Sequence, residues 1–186
     1  MNRICTSMLL LFALCVLVPI QAVSAEEQVA EDDHEVKLGD GKVTLTATAD
    51  WEEKEPKFKG IVSAEFAVKP ADGDLAAGRV TLGGLGGGVN ANVSRWISQY
   101  SDAETERETV DVAGQEVTTV SVRGTYKGSR FRKEPAGPGY RLLGAVVQTK
   151  NAGTYYVKFY GPEKTVDENE EAFHKMLKSL KVTNDQ

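Results

Sequence analysis

The sequence predicts an α+β domain in which an antiparallel β-sheet of about six to eight strands carries two helices packed on it. Three observations support this fold class. Several short segments alternate apolar and polar residues with a period of two, Gly-containing turns separate them, and two other segments place apolar residues at helical spacing. Strands that follow one another through short turns pair antiparallel. We therefore expect an antiparallel sheet with helices covering part of it.

The predicted strands begin with a hairpin around Asp40 and Gly41, because both residues tolerate the positive φ of a two-residue turn. In the segment 43–48, apolar residues alternate with threonines, as expected of a half-buried strand. Further strands are predicted over residues 62–68, 79–82, 109–112, 117–125, 142–147 and 155–160. The 142–147 segment is apolar on both faces, which predicts a central place in the sheet.

Two helices interrupt these strands. Over residues 90–100, apolar side chains recur at positions i, i+3, i+4 and i+7, and Asn90 or Asn92 is the expected N-cap. The second helix is predicted to begin at Thr165, whose spacing to Glu168 matches a capping box. Its buried stripe is formed by Phe173, Met176, Leu177 and Leu180.

The N-terminus has the pattern of a cleaved secretory signal over residues 1–25. Arg3 precedes the uncharged apolar run 8–20, and small residues then precede an acidic stretch. That run is shorter than the ~20 residues that span a bilayer. We therefore expect an exported protein, periplasmic or secreted, with no transmembrane segment after cleavage. Removal of the signal would also remove both cysteines, Cys5 and Cys15, and leave a cysteine-free mature chain.

The mature chain divides into three parts. Residues 26–35 are predicted to be an acidic disordered leader, because like charges repel and few apolar groups are present there. Residues 36–182 form the single predicted α+β domain, and residues 183–186 form a short tail. Charge separates these parts: residues 26–40 hold seven acids and one base, whereas residues 41–186 hold 20 of each.

Charge is also uneven within the domain. The net charge of −5 argues against a protein that is basic overall and binds nucleic acid. Residues 117–164, however, hold nine basic residues and two acidic ones. Inside this stretch, Lys127–Gly139 is too irregular for a strand and is longer than an ordinary connection. The candidate ligand-binding residues of this segment are Arg123, Lys127, Arg130, Phe131, Arg132, Lys133 and Arg141.

A glycine-rich run lies between a predicted strand and the first helix. Its exposed backbone N–H groups are a possible anion loop, formed by Gly84, Gly86, Gly87 and Gly88. The spacing Gly86-x-Gly88-x-x-Ala91 also fits a dinucleotide fingerprint, but the chain offers one crossover where a Rossmann half needs two. A structural loop is the favoured interpretation, and a small-anion site is the alternative.

No catalytic constellation stands out in the sequence. His34 lies in the acidic leader and His174 flanks the stripe of the last helix, so neither has the i, i+4 partner of a helical metal site. No cofactor, metal site or catalytic residue is predicted. An enzyme is accordingly the less favoured class.

Three strings carry a resemblance to known proteins: GGLGGGVNANVSRWISQY (residues 83–100), YYVKFYGPEKTV (155–166) and FHKMLKSLK (173–181). They resemble a group of uncharacterised secreted bacterial proteins, and the element order resembles the PsbP-like fold group. The resemblance implies an α/β/α sandwich that acts as a non-catalytic accessory or binding module. It carries over no catalytic residue.

Three functions follow as hypotheses. The favoured one is an exported envelope module that binds an anionic partner, a protein or an envelope component, through residues 123–141. The second is an assembly scaffold that makes protein contacts through its sheet and the aromatic residues of one strand, Tyr155, Tyr156, Phe159 and Tyr160. The third is a secreted hydrolase without a recognisable motif.

Overall fold

The computed structural model describes residues 33–84, 86–130 and 133–183. Its strands are β1 (His34–Leu38), β2 (Val43–Ala47), β3 (Glu52–Lys54), β4 (Ala64–Val68), β5 (Gly78–Gly84), β6 (Tyr100–Val112), β7 (Gln115–Tyr126), β8 (Gly137–Gln148), β9 (Thr154–Pro162) and β10 (Lys181–Val182). Its helices are α1 (Val89–Ile97), α2 (Glu163–Glu168) and α3 (Glu170–Lys178). These elements confirm the predicted α+β class.

The main sheet has seven strands in the order β3-β4-β5-β9-β8-β7-β6. Every neighbouring pair in it is antiparallel. The apolar strand β8 lies in the interior of the sheet, and its buried residues confirm the predicted central position. A separate three-stranded sheet has the order β1-β2-β10.

The first hairpin forms where it was predicted. Asp40 has φ 55° and Gly41 has φ 85°, so both residues adopt the left-handed backbone of the turn between β1 and β2. Strand β1 begins at His34, which pairs with Ala47. Strand β1 therefore begins two residues before the predicted domain boundary at residue 36.

One face of the main sheet carries the larger core. Helices α2 and α3 and the small sheet cover it, and Trp51, Phe159 and Phe173 pack there with almost no exposure. The Trp51 indole donates a hydrogen bond to Oδ1 of Asn169 at 3.0 Å. This bond joins the segment before β3 to the junction between α2 and α3.

The opposite face carries α1. Trp96 and Val93 of this helix pack against β7, β8 and β9 in a second apolar cluster. A Cβ atom on Gly144 would lie 2.6 Å from Cζ3 of Trp96, so only glycine lets the indole approach the sheet this closely. Because α1 lies on one face and α2 and α3 on the other, the layers form an α/β/α sandwich.

Two helix predictions need correction. The predicted second helix is divided into α2 and α3 at Asn169, so the described residues contain three helices instead of two. Thr165 does not cap a helix: its hydroxyl donates to Oδ2 of Asp74 at 2.6 Å from inside α2. The N-cap of α1 is Gly88 instead of either predicted asparagine, because Asn92 is buried and braces the preceding loop from within the helix.

Some predictions concern residues outside the described ranges. These are the signal segment, leader residues 26–32, Phe131 and Arg132 of the candidate site, and tail residues 184–186. Of the helices that the structure describes, none has the length and apolar character that crossing a membrane requires.

Candidate functional site

The candidate cations divide into two groups, and the first forms an ion-pair network between the sheet and two helices. Arg141 is 4% exposed and donates hydrogen bonds to Asp167 and Glu170 at 2.7 Å. Arg123 pairs with Asp167 and with Glu163. These two arginines therefore connect the sheet to α2 and α3. Their charges are already neutralised within the fold, so the structure separates them from the exposed cations of the candidate segment.

The second group lies on the connection between β7 and β8, residues 127–136, which we call the basic loop. Arg130 and Lys133 are exposed on it, and neither forms an ion pair with a carboxylate of the described chain. Lys127 instead donates from Nζ to the Ser98 carbonyl at 2.8 Å, which ties the loop to the end of α1. The loop was predicted over Lys127–Gly139, but β8 begins at Gly137, so the observed connection is ten residues long.

Hydrogen bonds hold the described residues of the basic loop, which are 127–130 and 133–136. The backbones of Ser129 and Glu134 exchange two hydrogen bonds of 3.0 Å across the loop, and Lys133 has φ 55°. The Glu134 carboxylate then accepts from the hydroxyls of Tyr126 and Tyr160, each at 2.8 Å. The single acid of the loop therefore points to the sheet face beside α1 and anchors the loop there.

The anchor continues into a polar row on this sheet face. Tyr160 accepts a hydrogen bond from Arg79 at 3.0 Å, and Arg79 forms a bidentate pair with Glu65 at 2.8 Å. Burial opposes the charged form of Arg79, but the hydrogen bonds that Arg79 donates to Glu65 outweigh it and raise the pKa of Arg79. Tyr100, whose side chain packs against the Tyr126 ring, has a buried hydroxyl, and burial raises its pKa.

A cleft opens next to this row, between α1 and the residues that precede β4. We call it the cationic cleft; its volume is about 380 Å³. Its principal lining residues are Phe58, Ile61, Arg79, Arg95, Trp96 and Lys158. None of the described residues that line it is acidic. Lys158 donates to the Gln99 side chain at 2.7 Å and lies 4.4 Å from the centre of the Tyr160 ring.

The predicted glycine-rich loop borders the same cleft. Gly84 and Gly86 line it, and a Cβ atom on either residue would meet no atom within 4 Å. The Asn92 amide donates to the carbonyls of Gly86 and Gly88 at 3.0 and 3.1 Å. Gly87 has φ 82°, the left-handed conformation that favours glycine. The loop is therefore held by a buried side chain of α1 and leaves space beside two of its glycines.

The histidines occupy separate places. Nε2 of His34 lies 3.0 Å from the Trp51 carbonyl, whereas His174 lies 3.7 Å from Glu170 on the surface of α3. Within the ranges that the structure covers, no three His, Cys, Asp or Glu side chains form a group suited to a metal ion.

The aromatic strand is not available for the protein contacts that the scaffold hypothesis needs. Its four aromatic side chains belong to β9, whose residues from position 155 onward are all buried. They pack into the two cores on opposite faces of the sheet. The hypothesis that these rings form an exposed contact surface is therefore wrong, because a central strand is covered on both faces.

No protein-family model and no curated protein matches this sequence. Solved structures do match. The solution structure of cyanobacterial PsbP (CyanoP) from Synechocystis sp. PCC 6803 has a TM-score of 0.53 and 15% identity, covering 86% of this chain and 98% of that one. LpqN of Mycobacterium tuberculosis has a TM-score of 0.52 and 12% identity, covering 82% and 91%. Identities this low establish the fold alone: the fold is PsbP-like, which confirms the sequence resemblance.

Sequence reasoning did not place Arg79, Arg95 or Lys158 in a common site. The three cations come from β5, α1 and β9, which are brought together by the pairing of β5 with β9 and by the packing of α1. One feature of the sequence did point to this site. Lys158 is the only charged residue of an otherwise apolar and aromatic central strand, and a buried lysine normally has a polar or charged partner.

Proposed function

We propose that this protein is an exported, non-catalytic binding module that holds an anionic envelope partner through its basic loop. The observation that carries the proposal is the exposure of Arg130 and Lys133 without carboxylate partners in the described chain. A cation that is not neutralised within its own fold attracts anions from solution. The charges of Arg123 and Arg141, in contrast, are paired with carboxylates of α2 and α3.

The anchoring of the loop also supports this function. Loop residues that are already ordered lose less conformational entropy when a partner binds, and the gain appears as affinity. Glu134, Tyr126 and Tyr160 hold the loop against the sheet, and Lys127 holds it against α1. The exposed cations are thus presented from a shaped loop supported at both ends.

One structural neighbour supports an envelope role. LpqN, which shares the fold, is involved in cell envelope biogenesis. The signal-like segment 1–25 adds an independent reason to expect export. Together they favour an accessory protein outside the cytoplasm.

Binding of the exported protein to three probes tests the proposal. The first probe is a vesicle that contains phosphatidylglycerol, and the second is purified peptidoglycan. The third is a bacterial envelope extract, from which the immobilised protein captures its partners. We expect binding to at least one probe at 0.1 M salt and its loss at 1 M, because the Debye length falls from about 10 Å to about 3 Å. Absence of binding to all three, or binding that survives 1 M salt, would contradict the proposal.

A further inference from the structure

The cationic cleft combines two properties that the basic loop lacks. Its volume of about 380 Å³ lies within the range of roughly 300–1,000 Å³ that is usual for small-molecule sites. It also has an apolar rim: Phe58 is 42% exposed and Ile61 is 66% exposed. Of the three large exposed apolar side chains in the described chain, only Leu75 lies outside the cleft.

The floor of the cleft is aromatic and ordered. Trp96 and Tyr156 meet edge to face with their ring centres 6.4 Å apart, and both are less than a tenth exposed. The Tyr156 hydroxyl lies 3.5 Å from the Ile61 carbonyl, a long contact that links the floor to the rim. A flat or short apolar group would find aromatic contacts below it and aliphatic contacts at its side.

The charge of the cleft is positive at one wall. Arg95 is exposed on α1, its guanidinium bonds only to the neutral Asn92 side chain, and no described carboxylate pairs with it. Arg79 is offset by Glu65, whereas Lys158 contributes a buried ammonium on the floor. Guanidinium groups bind carboxylates and phosphates through paired hydrogen bonds. The open space beside Gly84 and Gly86 lets a ligand approach the backbone closely.

We propose that the cationic cleft binds a small organic anion that joins one carboxylate or phosphate group to a flat or short apolar body. Arg95 receives the anionic group, and Ile61, Phe58 and Trp96 contact the body. No residue of the basic loop is among the described residues that line the cleft, so we expect the cleft to bind its ligand whether or not the loop holds an envelope partner.

Three probes with one ring system test the site: 1-naphthoate, 1-naphthyl phosphate and the neutral 1-naphthalenemethanol. Each is titrated into the ¹⁵N-labelled protein, and the amide signals of Thr81, Gly84, Gly86 and Gln99 are followed. We expect saturable shifts of these signals with at least one anion, and binding about tenfold weaker for the neutral probe. The more tightly bound anion identifies the preferred anionic group.

Two variants separate the roles of charge and of apolar contact. Arg95→Gln is expected to weaken binding of the anion about tenfold and to leave the neutral probe unchanged. Ile61→Ser is expected to weaken all three probes about fivefold through lost apolar contact. The matched controls are Lys150→Gln and Leu75→Ser, which change the same properties outside the cleft.

Three results would overturn the inference: equal binding of the neutral probe and the anions, shifts confined to signals outside the cleft, or equal affinities of Arg95→Gln and Lys150→Gln. The loop variant Arg130→Glu/Lys133→Glu is expected to retain anion binding in the cleft. Failure of the cleft and failure of the loop are therefore distinguishable.

Discussion

Arg141 and Glu170 form a bidentate ion pair in which both hydrogen bonds measure 2.7 Å. The arginine side chain is 5% exposed and the glutamate side chain is 38% exposed. The pair joins the central strand β8 to the first turn of α3, and Asp167 of α2 shares the same guanidinium. Arg141 thus holds both helices of this face against the sheet.

We expect Arg141→Gln to lower the free energy of unfolding by about 1–2 kcal/mol. The loss should be smaller than for a fully buried pair, because water reaches the carboxylates of Glu170 and Asp167. Urea denaturation measures it. Lys150→Gln, which removes an exposed charge, should stay within about 0.5 kcal/mol of the parent protein. Equal stabilities of the two variants would contradict the structural role of Arg141.

The same pair makes stability depend on pH. The hydrogen bonds from Arg141 lower the pKa of Glu170 below its ordinary value of 4.5. A group whose pKa is lower in the folded state stabilises the fold above the unfolded pKa, and this contribution is lost as the pH falls through the folded pKa.

We therefore expect the stability difference between the parent protein and Glu170→Gln to be largest near about pH 6 and to shrink toward about pH 3. Urea denaturation at a series of pH values measures this difference. A constant difference over that range would show that protonation of Glu170 does not weaken the pair.

Glu134 should control the order of the basic loop. Removal of its carboxylate by Glu134→Ala breaks the contacts with the hydroxyls of Tyr126 and Tyr160. We expect the backbone amide protons at positions 129 and 134 to exchange about tenfold faster in this variant, while global stability changes little. Lys133→Asn is the control, because asparagine tolerates the positive φ at that position. Unchanged exchange in Glu134→Ala would exclude the anchor.

The packing of α1 should depend on Gly144. Gly144→Ala places a methyl group against the Trp96 indole, and we expect a loss of about 1–3 kcal/mol together with a red shift of Trp96 fluorescence. For the fluorescence measurement, Trp51 is replaced by Phe in the parent protein and in each variant, so that Trp96 is the only tryptophan that emits. Gly86→Ala is the control, because a Cβ atom there meets no neighbour. Equal effects of the two alanines would show that the close approach is not required.

Most of the fold was predictable, because the spacing of apolar residues along the sequence shows which face of a strand or helix is buried. The strands β2, β4, β5, β8 and β9 alternate or concentrate apolar residues, and the structure buries those residues. Residues 100–108 of β6 were not predicted as a strand, since an exposed edge strand of mostly polar residues has no apolar alternation. The three exposed residues of β3 were missed for the same reason. At the helix break, Asn169 accepts a hydrogen bond from Trp51, which is 118 residues distant in sequence, and local periodicity does not record such a contact.

The candidate site was predictable only in part. The sequence showed an excess of cations over residues 117–164, but Arg141 is buried and paired whereas Arg130 is exposed. Local composition cannot separate these roles, because the carboxylates that neutralise Arg123 and Arg141 come from α2 and α3. Prediction of the cationic cleft would have required knowledge of the antiparallel pairing of β5 with β9, which composition does not reveal.

The central claim, that the exposed cations of the basic loop hold an anionic partner, is tested most directly by two variants of equal charge change. Arg130→Glu/Lys133→Glu reverses two charges on the loop, and Lys150→Glu/Lys178→Glu reverses two exposed charges elsewhere. Affinity is measured at 0.1 M salt for whichever probe the parent protein binds. We expect the loop variant to bind at least about tenfold more weakly and the control to stay within about threefold of the parent. Equal weakening of both variants, with folding intact, would contradict the claim.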